Sequence, residues 1–282
     1  MVENRPWLNI LTHIVLILGV VIVAFPVYVA LIASTQPPNS FLRGVIPLTP
    51  GTHGLANYWE MLTTGMSTSG APPLWLMLVN STWMAIIITV GKIVISITSA
   101  FAIVYFRFPF RTLAFWLIFI TLMLPVEVRI IPTFAVVSNL GLLNSYLGLT
   151  LPLIASATAT FLFRQFFLTV PDELMEAARV DGAGAMKFFR DILLPLSRTN
   201  IAALSVILFI YGWVQYLWPL LITTDSRYYT IVMGIKRMAA RADTEPQWQL
   251  VMAAVVLAML PPVLVVVFMQ RLFVKGLVET EK

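Results

Sequence analysis

Lys92, Glu127 and Arg129 stand in stretches that are otherwise apolar, and they are the side chains with the most chemistry to offer. Buried in hydrocarbon without a partner, each would cost at least ~2.5 kcal/mol, so each must meet protein, water or an opposite charge. Counted back from Tyr105 and forward from Thr112, Lys92 and Glu127 lie about 20 and 22 Å along ideal helices, at similar depth, so an ion pair between them is expected. Arg129 follows Glu127 by two positions, roughly 200° around a regular helix, and the two share a neighbour only if the helix breaks. Pro125 and Pro132 supply the means. Arg129 is then expected to face a water-filled pathway, where its planar fork suits an anion such as a phosphate. Trp213, Gln215, Tyr216 and Trp218 follow farther along. Gln215 is a candidate for the same pathway, and the three aromatic residues either line it too or form an aromatic belt at headgroup level. A purely structural or interfacial role for the three charges remains the alternative.

The rest of the chemical inventory is short. His13 and His53 lie far apart without ligand spacing, and there is no cysteine, so no metal or thiol centre is expected. Gly91-Lys92 runs into Ile93 with no glycine at the spacing a phosphate-binding loop needs, so ATP and Mg are expected on another subunit. No nucleophile stands with a base in a pattern that points to covalent catalysis. The net charge of +5 is dispersed beside apolar segments, which excludes a basic nucleic-acid surface.

A different kind of signal lies in Val170–Pro195, which reads as two short helices. Pro171 suits a first helical position, and Asp172 with Glu173 place carboxylates in the first turn, where the helix dipole favours them. Gly182 falls where a C-terminal cap needs positive φ, and Phe188, Phe189 and Ile192 gather on one side of the second stretch. Leu174, Ala177 and Ala178 fall at i, i+3 and i+4, and the small alanines would let a partner surface approach. Pro195 marks a break before the next apolar segment. An amphipathic loop lying on headgroups is the alternative from pattern alone.

The elements that must position these residues are set by lipid. Hydrophobic residues make up 59% of the 282, and charged residues only 11%, against roughly 25% charged in soluble domains. An all-α integral membrane fold follows, a single domain over 1–282, with six spans at about 10–33, 82–105, 112–137, 146–167, 201–223 and 250–273. The first apolar run is too long for the 7–15-residue core of a cleaved leader. Arg107, Arg111, Arg164, Arg179, Lys187, Arg190 and Arg198 crowd one set of connections, while Arg43, Arg227, Lys236, Arg237 and Arg241 are spread over the other. Both termini are therefore expected in the cytoplasm. An ion-coupled secondary transporter would need coupling carboxylates and usually internal repeats; Glu127 is the one plausible membrane carboxylate, and no repeat is visible.

Glu176-Ala177-Ala178, Gly182, Ile192 and Leu194-Pro195 at these spacings resemble the EAA loop of permease subunits in binding-protein-dependent ABC importers. The resemblance extends over nearly the whole chain and is nearest to the carbohydrate-importer branch, the maltose-type second permease. The stretches Glu3–Trp7, Phe119–Arg129, Ala155–Phe167 and Tyr211–Leu221 look like permeases of sn-glycerol-3-phosphate importers. It implies a type I ABC importer permease fold in the cytoplasmic (inner) membrane. It implies a heterodimer with a second permease, an ATPase homodimer carrying ATP and Mg, and a periplasmic solute-binding protein. Glu176, Ala177, Ala178, Asp181, Gly182, Ile192 and Pro195 would form the coupling element. It also implies import of sn-glycerol 3-phosphate or glycerophosphodiesters, or of a sugar in the same family.

Overall fold

The computed structural model describes residues 6–41, 47–66, 70–240 and 247–279, with the side chains of Pro6, Val126, Glu127 and 271–279 excepted. The expected Lys92–Glu127 pair therefore lies outside the described residues. Fourteen α-helices, joined by short 3-10 and π turns, make up the described chain. They are α1 (Pro6–Ser34), α2 (Gly54–Thr63), α3 (Leu74–Tyr105), α4 (Arg111–Ile120), α5 (Val126–Asn139), α6 (Tyr146–Thr150) and α7 (Ala157–Phe167). Then come α8 (Asp172–Val180), α9 (Ala185–Phe188), α10 (Leu194–Leu196), α11 (Arg198–Trp213), α12 (Leu217–Ile222), α13 (Ile231–Ala239) and α14 (Trp248–Glu279).

Three segments, Trp7–Ser34, Leu74–Tyr105 and Trp248–Gln270, are long and apolar enough to cross a bilayer unbroken. Three bent pairs raise the number to six if each counts as one span: Arg111–Met123 with Val128–Asn139 at 107°, Tyr146–Leu153 with Ala157–Phe167 at 45°, and Ala185–Leu196 with Arg198–Trp213 at 71°. The first bend has a covalent cause. Leu124, which precedes Pro125, is extended at ψ 115°, as steric clash with the proline ring demands. Pro132 is carried inside α5. The apolar stretch expected as one span from Ile201 is interrupted as well: α11 stops at Trp213 and α12 begins at Leu217.

The chain forms two compact units, Met1–Leu76 with Gly234–Leu260 and Met77–Met233 with Pro261–Lys282. In the first unit, most of α1 exposes large apolar side chains, which is the surface lipid requires. After α1 the chain is knotted by polar groups: Asn57 Nδ2 donates to the carbonyls of Ser34 and Gln36 at 2.9 Å each, and Gln36 Nε2 donates to that of Thr49 at 2.7 Å. In the second unit, Phe101, Phe163, Phe167, Phe188, Phe189 and Leu193 form one buried cluster. Met84, Ile88, Ile130, Leu149, Trp218 and Ile222 form another.

Helices in this unit approach closely at small residues, because hydrocarbon offers no hydrophobic drive and association rests on packing. A Cβ at Gly212 would sit 2.8 Å from Ala85 Cα, and backbone cannot step aside. Gly212→Ala is therefore expected to destabilise the detergent-solubilised protein by about 1–3 kcal/mol. Gly19→Ala, where a Cβ meets nothing within 4 Å, is expected to leave the thermal unfolding midpoint unchanged or slightly higher.

Candidate solute pocket and docking loop

The break between α11 and α12 opens beside α3 and α5 onto a pocket of about 200 Å³. Lys92, Arg129, Thr133, Tyr211, Gln215 and Trp218 are among its lining residues. Lys92 is only 6% exposed, and its ammonium lies 3.6 Å from the centroid of the Tyr211 ring. A desolvated cation over an aromatic face gains ~2 kcal/mol, which offsets part of the burial of a charge at this depth. Gln215 Nε2 donates to the Tyr211 carbonyl at 3.1 Å, bridging the gap where α11 gives out. Trp218 Nε1 donates to the Gly148 carbonyl at 3.1 Å, fixing α12 to α6. Arg129, on the exposed side of α5, faces the same space and shares it with no described carboxylate.

Of the residues expected along a pathway, Lys92, Arg129, Gln215 and Trp218 thus come together. Trp213 and Tyr216 do not line the pocket; Trp213 stacks on Phe209 at 5.8 Å. The aromatic-belt reading fails for both tryptophans, because each is only 3% exposed and packs among helices. Tyr211 was not expected at this site. Its one signal in the sequence is its place four residues before Gln215, on the same helical face.

At the other end of α3 lies the loop. α8 begins at Asp172 with Pro171 as its N-cap, one place earlier than the first helical position expected for the proline. Asp181 is the C-cap and Gly182 turns at φ +70°. Gly182 N donates to the Arg179 carbonyl at 3.0 Å and Ala183 N to that of Ala178 at 2.8 Å. These are the two bonds of a Schellman cap, which requires a left-handed residue between them. The expected docking face is split: Ala178 and Met175 turn inward against the phenylalanine cluster, while Leu174 and Ala177 stay outside. Successive residues advance by roughly 100°, so the helix keeps only a narrow outward strip. Instead, Val180 at 87% and Met186 at 70% exposure flank the glycine turn, and their apolar side chains are the largest uncovered feature there.

Behind the loop, Phe189 packs 4.8 Å from Phe101 and Phe188 packs 5.3 Å from Tyr105, tying it to the end of α3. Ile192 packs against this cluster rather than facing out. Glu176 lines a groove of about 910 Å³ with Asp172, Arg179, Arg107 and Arg111. Arg190 Nε donates to Asp191 at 2.8 Å, and this bond holds the Asp191 carboxyl below its usual range. The bend expected at Pro195 falls at the joint between Leu196 and Arg198. There Ser197 is buried and its hydroxyl donates to the Leu193 carbonyl at 2.6 Å. Pro195 stands inside the continuous helix Ala185–Leu196, directly after the π turn Phe189–Leu193, which locally replaces the regular ladder where the proline has no N–H to give.

Residues 92–279 match the family described as binding-protein-dependent transport system inner membrane component. The chain belongs to this family. It is therefore a multi-pass inner-membrane subunit of an ABC importer, a transport permease and not an enzyme. The sn-glycerol-3-phosphate transport system permease protein UgpE of Agrobacterium fabrum is 60% identical over 282 residues, all of both chains. Those of Brucella melitensis and Escherichia coli O157:H7 are each 59% identical over the same full length. A bacterial ABC transporter involved in the import of the acidic polysaccharide alginate contains a chain of the same fold. It aligns with a TM-score of 0.81 at 18% identity, over 96% of this chain and 98% of that one.

The glycine turn makes a local prediction. A Cβ at Gly182 would meet nothing within 4 Å, so only the left-handed backbone opposes substitution, at roughly 1–2 kcal/mol for an ordinary residue. Gly182→Val is expected to speed hydrogen exchange of the amides of 180–184 by about tenfold. Gly182→Asn, which tolerates this conformation, is expected to slow or speed it far less.

Proposed function

We propose that this chain, with a second permease, forms the path by which sn-glycerol 3-phosphate enters the cell, and that both termini face the cytoplasm. An ATPase pair beneath the membrane would hydrolyse ATP, and a periplasmic solute-binding protein would deliver the solute. The observation that carries the reading is full-length identity of 59–60% to permeases named for that solute. The pocket agrees with it in chemistry: Lys92 and Arg129 offer two positive groups to an anion, with no described carboxylate among the lining residues. Arg129 is the better phosphate ligand of the two, because among the described residues nothing occupies its fork, while the Lys92 ammonium sits on Tyr211.

The loop supplies the other half of the mechanism. Leu174, Ala177, Val180, Asp181, Gly182 and Met186 would meet the ATPase, with Glu176 at the mouth of the groove behind. Phe188, Phe189 and Ile192 would then pass its movement to α3, and the Ser197 joint to α11. Because α3 carries Lys92 and α11 carries Tyr211, a push on the loop reaches both sides of the same cation–ring contact. That contact lies where an alternating-access pathway would open and close.

The test is ATP-driven uptake by proteoliposomes holding the complete importer, offered radiolabelled sn-glycerol 3-phosphate, a glycerophosphodiester or maltose. Uptake of the phosphate compounds but not of maltose is expected. Losing a charge-assisted bidentate contact, Arg129→Gln is expected to raise KM about tenfold or more at equal protein level. Uptake of maltose alone would reverse the assignment of solute, and an unchanged KM would remove Arg129 from the path.

A further inference from the structure

Apart from the solute pocket and the docking face, one small cavity has an unusual lining. It holds about 110 Å³, bounded by Arg111, Thr112, Phe115, Arg164 and the apolar flanks of Ile103 and Leu168. At ~30 Å³ per water, that is room for three or four waters or one tetrahedral oxyanion. Two guanidinium groups and a hydroxyl line it, and no carboxylate among the described residues does. Asp172 and Glu176 line the larger groove next door, to which Arg111 also contributes.

Arg164 is the more informative of the two. Its Cζ lies 4.0 Å from the Phe115 ring centroid, and its Nε is closed off from solvent without a hydrogen-bond partner among the described residues. Stacking occupies the flat face of a guanidinium and leaves its donors in the plane of the group unused. A buried donor without an acceptor is unfavourable, so a position this well formed calls for an acceptor that comes from elsewhere. α4 starts here too, with Phe110 as N-cap at φ +62° and no side chain capping the first turn. Its unpaired amides and positive dipole end add to the same field.

The surroundings say where the acceptor comes from. Phe110, Leu113, Trp116 and Leu117 on α4 are all exposed, an apolar and aromatic flank running away from the cavity. A free oxyanion would leave that flank without a role, whereas a phospholipid would set its headgroup in the cavity and its chains along α4. We propose that Arg111 and Arg164 hold the headgroup phosphate of an anionic phospholipid, on the membrane face that also carries the docking loop. Through Arg111 and Leu168, which line both cavities, the bound lipid would brace the wall of the groove behind α8.

Native mass spectrometry of the purified complete importer tests this, with phosphatidylglycerol, phosphatidylcholine and inorganic phosphate as separate probes. Wild type is expected to retain phosphatidylglycerol about tenfold better than phosphatidylcholine. Arg164→Gln and Arg111→Gln should each abolish most of that preference, Arg164→Lys should keep part of it, and Arg190→Gln, an exposed arginine elsewhere, should leave it intact. Should Arg164→Gln fail to assemble, Arg111→Gln and Arg164→Lys carry the comparison. Equal retention of the two lipids, a preference untouched by the Arg111 and Arg164 variants, or displacement of the lipid by millimolar phosphate would each overturn the proposal.

Discussion

Hydrocarbon donates and accepts no hydrogen bonds, so every interruption of a membrane helix must be repaired by protein. This chain interrupts its spans repeatedly, and the repairs shape everything else in its second unit. Ser145 and Ser156 cap α6 and α7 by accepting from the amides of Gly148 and Ala159. The Ser96 hydroxyl on α3 donates to the carbonyl of Ser156. Trp218 and Gln215 use their side-chain donors on carbonyls left over at the breaks. Asn144 accepts through its side chain from the amides of Thr224 and Asp225, which closes the chain after α12.

The pocket lined by Lys92 and Arg129 follows from those breaks. An unbroken α11 continuing through residue 222 would place its side chains in a regular spiral against α3. The stop at Trp213 instead turns Gln215 and Trp218 towards Lys92 and Arg129. The close approach at Gly212 holds α11 and α3 together next to that stop, so the pocket has one rigid wall and one irregular wall. The loop that carries α8 and α9 obeys the same logic. Its inward side is anchored by Phe188 and Phe189 against Tyr105 and Phe101 at the end of α3, and its outward side is a glycine turn between two uncovered apolar residues. Motion of the loop therefore has a route of packed side chains into the membrane.

Much of this was legible in the sequence. That apolar runs fill the chain follows from their length and lack of charge, though only three are unbroken helices long enough to cross and three are bent pairs, and the glycine cap of α8 follows from the position of Gly182. The bend at Pro125 was legible because proline excludes the helical conformation for the residue before it. The break at 214–216 is marked less directly, by Pro219, which in a continuous helix would leave the Gln215 carbonyl without a donor and crowd it; the side-chain hydrogen bonds of Gln215 and Trp218 make the interruption tolerable. Ala178 and Ala177 look alike in sequence, yet one is buried and the other exposed, because neighbouring phenylalanines rather than periodicity decide the rotation of α8. Trp213 and Trp218 read as a belt since their indoles suit headgroups; burial among helices, which no local pattern encodes, overrides that preference. Tyr211 became visible only when the fold set its ring under Lys92.

The central claim is that the surface around the Gly182 turn meets an ATPase. The chain has no cysteine, so single cysteines can be introduced and cross-linked to the ATPase within an importer that still shows ATP-driven uptake. Val180→Cys and Met186→Cys are predicted to cross-link to the ATPase, and Leu55→Cys, on the exposed side of α2, is predicted not to. Val180 and Met186 variants that react freely with a water-soluble maleimide and never cross-link, in an importer that still transports, would contradict the account.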